Sequence, residues 1–149
     1  MQHLNSALLF GLGVLAGGMI AVQSVLNASL GERIGTFGSV LMLTIVSIGF
    51  LLVIILTFPA TASFEHLPGL SEWYLYLGGA LGIVILAAPI FLVPHVGATS
   101  TLVAIVFGQL LMALVIDHYG LFSSPQIRAA LPRILGVVLV AAGAILVSR

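Results

Sequence analysis

Cysteine is absent from this chain of 149 residues, and charge is scarce. Four arginines and four acidic residues make up 5 % of the sequence, whereas 61 % of the residues are hydrophobic. Without cysteine the chain can form neither a disulfide nor a thiolate metal centre. A soluble surface needs far more charge than this, so the composition excludes a soluble monomer. The net charge of zero leaves no basic patch for nucleic acid.

The sequence also lacks the motifs of common catalytic sites. It contains no HExxH, no GxSxG and no glycine-rich phosphate-binding loop. Asp117 and His118 are neighbours, but adjacent positions of a helix point to different faces, so their spacing makes no catalytic dyad. We therefore expect that the protein is not an enzyme and has no metal or cofactor.

What the sequence does contain is long stretches without charge, over residues 1–31, 34–64, 73–116 and 134–148. Crossing the hydrocarbon core takes about 20 apolar residues per helix. The third stretch is long enough for two helices, with Pro94-His95-Val96-Gly97 as its only turn signal, because a helix tends to end before a proline. The sequence therefore predicts an all-α integral membrane protein with five transmembrane helices.

The predicted spans form one membrane domain without a soluble part, and they cover 5–30, 36–58, 72–91, 98–117 and 132–148. Five crossings place the N-terminus and the loops after spans 2 and 4 on one face, here called side A; the other two turns and the C-terminus lie on side B. In the loop after span 4, Ser124-Pro125 favours a turn of interfacial helix over 126–131. The first span should be retained as an anchor, because it is too long for a signal peptide and lacks a basic n-region.

Arginine is divided equally between the two faces. Arg128 and Arg133 lie on side A, and Arg33 and Arg149 lie on side B. Because arginine and lysine near the span ends set the orientation of a membrane protein, this tie predicts that the chain inserts both ways. The tie is also compatible with chance among so few charges, with an orientation set by the N-terminal amine, or with one set by a partner chain.

Polar side chains within the spans are the candidates for binding a substrate. In span 1, Gln23 and Asn27 stand one helical turn apart. In span 4, Thr101 and Gln109 belong to one i, i+4 ridge, and Gln109 lies close to mid-span. An amide without a partner costs several kcal/mol at that depth. We take these four residues as the candidate substrate-binding set, against the alternative that the amides only hold helices together at about 0.6 kcal/mol each.

Ionisable side chains are confined to the ends of the spans. His95, in the turn after span 3, and Asp117, at the end of the Thr101 ridge, are therefore candidates for coupling or gating. A cation and proton exchanger needs a carboxylate within the membrane, and this chain has none. The GxxxG pairs Gly13/Gly17 and Gly78/Gly82 predict close helix packing.

Several segments resemble the YdcZ-like branch of the drug/metabolite transporter superfamily. They are Gln23-Ser24-Val25-Leu26-Asn27-Ala28-Ser29-Leu30, Gly49, Gly108-Gln109-Leu110, Asp117-His118-Tyr119-Gly120-Leu121 and Arg133-Ile134-Leu135-Gly136. The resemblance covers nearly the whole chain. It implies a five-helix protein of the bacterial inner membrane, related to transporters built from two such halves. The buried glutamate in the first helix of the small multidrug transporters has no counterpart here.

Two functional interpretations follow. In the first, the chain is half of a transporter for a small polar or zwitterionic metabolite. Two copies inserted oppositely then form an inverted repeat around a midplane cavity lined by spans 1 and 4. In the second, the chain is a membrane assembly or accessory subunit without a substrate. The sequence leaves open the substrate, the coupling ion, the direction of transport and whether the partner is an identical chain or a paralogue.

Overall fold

The computed structural model describes residues 6–65 and 67–147, and every regular element in them is helical. The five α-helices are α1 (Ser6–Ile34), α2 (Thr36–Thr57), α3 (Leu77–Val96), α4 (Ala98–Tyr119) and α5 (Leu131–Val147). Three short 3₁₀ helices cover Pro59–Thr61, Leu70–Tyr76 and Leu121–Ser123. The all-α prediction is confirmed. The predicted start of span 1 at residue 5, the end of span 5 at Ser148, and Arg149 lie outside the described residues.

Four helical segments are long and apolar enough to cross a membrane: Ala7–Ile34, Thr36–Thr57, Ser71–Val96 and Ala98–Tyr119. The fifth helix, α5, is also apolar but has 17 residues, or about 25 Å at 1.5 Å per residue. That is a little shorter than the hydrocarbon core of about 30 Å, a mismatch that local thinning of the bilayer accommodates. The order along the chain, four long helices followed by one short helix, matches the order of the predicted spans.

The chain divides into two compact units, residues 1–91 and 92–149. In the first unit α1 packs against α2, and in the second α4 packs against α5. Few residues of either unit are buried. In the most apolar stretch of each of α1, α2 and α4, 6 % of the residues are buried inside the protein. The helices therefore leave most of their apolar surface for lipid or for a partner.

The junctions on side B are each a single glycine. Gly35 separates α1 from α2 and Gly97 separates α3 from α4, with nearly identical backbone angles of φ 80°, ψ 159° and φ 80°, ψ 160°. Glycine adopts this conformation because it has no Cβ. The prediction that span 3 ends before Pro94 is wrong, since α3 continues through Pro94 to Val96. Proline is tolerated within transmembrane helices, and the change of direction occurs at Gly97 instead.

The glycines of both GxxxG pairs face open space. A Cβ atom built at Gly13, Gly17, Gly78 or Gly82 would meet no atom of the chain within 4 Å. Gly31 differs, because a Cβ there would overlap the Cγ2 atom of Ile90 on α3. The tight contact of a glycine inside the first unit is therefore at Gly31, against the side chain of Ile90, and the GxxxG surfaces remain free for other contacts.

Candidate functional site

A small polar cluster is buried where α1 meets α2. Ser24 and Asn27 on α1 and Ser39 on α2 are 3 %, 4 % and 0 % exposed. The Ser39 hydroxyl donates a hydrogen bond to the carbonyl of Asn27 at 3.2 Å, and Ser24 Oγ donates to the carbonyl of Ile20 at 2.8 Å. The hydroxyl groups are thus satisfied by the backbone of α1, which allows them to lie inside a helix contact.

Ser39 is a buried polar residue that the sequence pattern did not single out, although a signal for it exists. It follows Gly35 by four residues, as Thr101 follows Gly97 by four. In both places the backbone N–H donates to the carbonyl of the junction glycine, at 2.9 and 3.2 Å. Thr101 is 1 % exposed. The chain therefore repeats one local arrangement at its two side-B junctions: a glycine, one turn of helix and a buried hydroxyl.

The two candidates on α1 differ in exposure. Asn27 is buried in the contact with α2, whereas Gln23 is exposed. Positions four apart on a helix are separated by about 40° around its axis, so a contact that covers one can leave the other at its edge. The amide of Gln23 is therefore available to an external group, while the residue Asn27 is held in the helix pair.

The two candidates on α4 differ in the same way. Thr101 is buried and its hydroxyl donates to the carbonyl of Gly97 at 2.8 Å. Gln109 is exposed, and its side chain makes no hydrogen bond to the described residues. Two steps of four residues turn the i, i+4 ridge by about 80°, which takes it from the covered face of α4 to an uncovered one. Of the four candidates, two are buried and two are exposed.

Asp117 joins α4 to α5 through an ion pair. Its Oδ2 atom lies 2.5 Å from Nη2 of Arg133, and the carboxylate and guanidinium side chains are 24 % and 41 % exposed. Nη1 of Arg133 also donates to the carbonyl of Ile127 at 3.4 Å. Because the pair lies at the helix ends and is partly hydrated, its contribution to stability is about 0–1 kcal/mol. Its clearer effect is to fix how α5 begins beside the end of α4.

The segment 124–130 folds back over the end of α4. Gln126 Nε2 donates to the carbonyl of His118 at 3.1 Å, and the N–H of Ala129 donates to His118 Nδ1 at 3.2 Å. The N–H of Ile127 reaches the carbonyl of Asp117 at 2.8 Å. The bonds to the carbonyls of Asp117 and His118 satisfy groups that a helix end leaves without partners. The predicted helical turn over 126–131 is wrong, because residues 126–130 are not helical and the N–H groups of Ile127 and Ala129 bond to α4.

The remaining candidate, His95, is exposed in the last turn of α3. No group of three His, Asp or Glu side chains that could hold a metal ion occurs in residues 6–65 and 67–147. His95 and Asp117 therefore lie at the ends of two different helices, on side B and side A of the predicted topology.

Three apolar clefts lie along the helices. One of about 350 Å³ lies between α4 and α5 and is lined by Leu110, Ala113, Leu114, Arg133, Gly136, Val137 and Val140. Two others, of about 380 and 470 Å³, lie between α2 and α3. None of them includes Gln23, Asn27, Thr101 or Gln109. Each lining has a single polar side chain, Arg133, Thr36 or Thr44, so these clefts suit acyl chains or other helices better than a polar solute.

The apolar helices, the scarcity of charge and the polar groups held within the spans define a multi-pass membrane protein. Residues 8–146 match the family described as "Putative inner membrane exporter, YdcZ". One relative, the inner membrane protein YdcZ of Escherichia coli (strain K12), is 29 % identical to this chain over 147 residues. The aligned region covers 98 % of this chain and 98 % of the relative. The chain therefore belongs to the YdcZ family, and it is an inner-membrane protein. No solved structure matches it.

Proposed function

We propose that the chain transports a small polar solute as an antiparallel homodimer, with a midplane cavity lined by α1 and α4. The observation that carries the proposal is the exposed, unpaired amide of Gln109 near the middle of a membrane helix. Lipid offers this amide no hydrogen-bond partner, so a protein group or a water-filled cavity must provide one. Membership of a family described as inner-membrane exporters supports transport.

The distribution of arginine between the two faces separately supports the antiparallel arrangement. The tie between Arg128 plus Arg133 and Arg33 plus Arg149 gives insertion no preferred direction. Many secondary transporters are built from two halves of opposite orientation, with the substrate near the bilayer midplane. One chain with five helices provides one half, and an inverted second copy provides the other.

The proposed binding residues are Gln23, Asn27, Gln109 and Thr101. An amide carries donors and an acceptor without charge, which suits a neutral or zwitterionic solute whose polar groups need partners as water is removed. Gln23 and Gln109 have exposed side chains and would contact the solute directly, while Asn27 and Thr101 are buried and would position the helices. Asp117 and His95 are proposed to act in gating; for Asp117 the moving part would be its ion pair with Arg133.

The proposal predicts that Gln23→Leu and Gln109→Leu each abolish uptake and ligand-induced stabilisation while the dimer persists. The measurement is the thermal shift of the protein in lipid nanodiscs with a panel of zwitterionic and neutral polar metabolites, followed by vesicle uptake of any hit. Gln126→Leu is the matched control, because Gln126 lies in the loop after α4 and bonds to the carbonyl of His118. A quaternary ammonium cation serves as the comparison solute and should give no shift.

The second candidate function is an assembly or accessory subunit without a substrate. The burial of Asn27 and Ser39 between α1 and α2 favours it, because these polar groups serve a helix contact. If both leucine variants lose the dimer and the unmodified protein responds to no solute, this second function is the better account.

A further inference from the structure

A stripe of residues along α4 repeats at the spacing of a helix interface. Its members are Leu102, Ile105, Gln109, Met112 and Ile116, at alternating steps of three and four residues, which place them along one side of a helix. Met112 is 59 % exposed, more than any other large aliphatic side chain of α4. The cleft towards α5 is lined from α4 by Leu110, Ala113 and Leu114, none of which belongs to the stripe. Gln109 and Met112 are exposed, and Leu102, Ile105 and Ile116 are half-buried, so the centre of the stripe is open to a further helix.

Gln109 stands at the middle of this stripe and of the helix. It is the twelfth of the 22 residues of α4, so it lies within about 1 Å of the helix midpoint at 1.5 Å per residue. The helix is about 33 Å long and the hydrocarbon core is about 30 Å thick, so this amide lies close to the bilayer centre. Exposed and unpaired there, it needs a polar partner from outside the chain.

A second copy of the same chain is the partner that this position fits. A two-fold axis lying in the membrane plane moves every residue to the opposite depth, so only a residue near the midpoint meets its own counterpart. Two identical amides can pair reciprocally, because each has a donor and an acceptor. A helix of another protein would place no requirement on the depth of the amide, whereas a two-fold axis requires the midpoint that Gln109 occupies.

We infer that two antiparallel copies meet along the α4 stripe, and that with no solute bound Gln109 of one copy is hydrogen-bonded to Gln109 of the other at the two-fold axis, a pair that the solute replaces when it binds. The inference rests on the proposed antiparallel dimer and adds the helix, the register and the residue at the axis. In this register Ile105 of one copy lies beside Met112 of the other, and Leu102 lies beside Ile116. The central amide pair fixes the register, as a single polar core residue does in a coiled coil.

The absence of cysteine allows the register to be measured by disulfide formation. Gln109→Cys should crosslink to itself. Ile105→Cys and Met112→Cys, on two differently tagged chains expressed together, should crosslink to each other and not to themselves. Two copies of Ile105 differ in depth by about 12 Å and two copies of Met112 by about 9 Å, and a disulfide needs Cα atoms within about 7 Å. The matched control is Leu111→Cys, an exposed position about 160° around α4 from Gln109, which should form no product.

The role of the amide itself is tested with Gln109→Leu. Loss of one interhelical amide pair costs about 0.6 kcal/mol, or about a threefold weaker dimer, so the dimer should persist. The yield of the 105–112 crosslink should fall, and products one turn out of register should appear. Retention of the 105–112 crosslink as the sole product in this variant would overturn the role of Gln109 in fixing the register.

The outcomes separate this inference from the proposed function. Self-crosslinks at 105, 109 and 112 together would show a parallel α4 pair and overturn both. Crosslinks that join the N-terminal end of one copy to the C-terminal end of another, with no product at 109, would overturn the α4 register alone and leave an antiparallel dimer. Thermal unfolding of each cysteine variant, compared with the parent, shows that the tested chains are folded.

Discussion

Gly31 is the position in α1 where a single methyl group should have the largest effect. Its backbone lies against Ile90 of α3, and a Cβ would overlap the Cγ2 atom of that isoleucine. The other glycines of α1 have open space beside them. A glycine lets a neighbouring helix approach closely because it has no side chain, and this is a common basis of helix packing in membranes.

We expect Gly31→Ala to lower the stability of the protein by about 1–3 kcal/mol, the usual cost of overpacking a tight contact. The measurement is the thermal midpoint of the purified protein in nanodiscs. Gly17→Ala is the matched control and should be neutral or slightly stabilising, because alanine is the better helix former and nothing lies within 4 Å. Adding Ile90→Leu to Gly31→Ala should recover stability, since leucine has no methyl branch at Cβ. An unchanged midpoint in Gly31→Ala would contradict the contact.

Residue-level exposure is the part of the candidate site that sequence could not provide. The spacing of Gln23 and Asn27 predicts a shared side of α1, yet one is exposed and the other is buried. The difference depends on where the edge of the α1–α2 contact falls, and a 40° step around a helix is enough to cross it. Composition alone carries no information on that edge.

At the scale of elements, a single glycine forms each of the two side-B junctions. Gly35 and Gly97 share a positive φ of 80°, a conformation that costs other residues about 1–3 kcal/mol. Each junction is one residue long, so the backbone passes from one helix to the next without a loop.

Replacing either junction glycine should therefore strain the backbone at that junction. We expect Gly35→Ala and Gly97→Ala each to destabilise the protein by about 1–3 kcal/mol, measured as the free energy of unfolding in mild detergent. Gly136→Ala, in α5 and with open space beside it, is the control and should be neutral. Stability equal to that of the parent in both junction variants would mean that the backbone relaxes away from positive φ.

The elements themselves are largely predictable, because long uncharged stretches have few alternatives in a membrane. All five helices are present, and the start of α4 at Ala98 agrees with the predicted span. The errors occur where local signals compete with tertiary bonds. Pro94 predicts the end of a helix that in fact continues past it, and Ser124-Pro125 predicts a helical segment that instead donates its N–H groups to the end of α4.

At the scale of the whole molecule, orientation depends on very few charges. The structure adds that Arg133 is paired with Asp117, so its charge is partly compensated on side A, while Arg128 lies exposed in the same loop region. A difference of one or two arginines is enough to bias a balanced chain.

We expect C-terminal reporters to detect both orientations of the unmodified chain in one population. Adding two arginines to the loop after α4 should shift the population to one orientation, and adding two at the side-B junctions should shift it to the other. Paired reporters, one active only in the cytoplasm and one only in the periplasm, measure the ratio. A single orientation of the unmodified chain, expressed without any paralogue, would contradict dual insertion.

The odd number of helices has a consequence for how two copies could be joined. Because α1 begins on one face of the membrane and α5 ends on the other, a second copy attached by a short hydrophilic linker would start from the opposite face. Its helices would run inverted without any added crossing. A head-to-tail fusion of this chain is thus a direct route to a single polypeptide of ten helices, in which one gene would supply both halves in a fixed ratio.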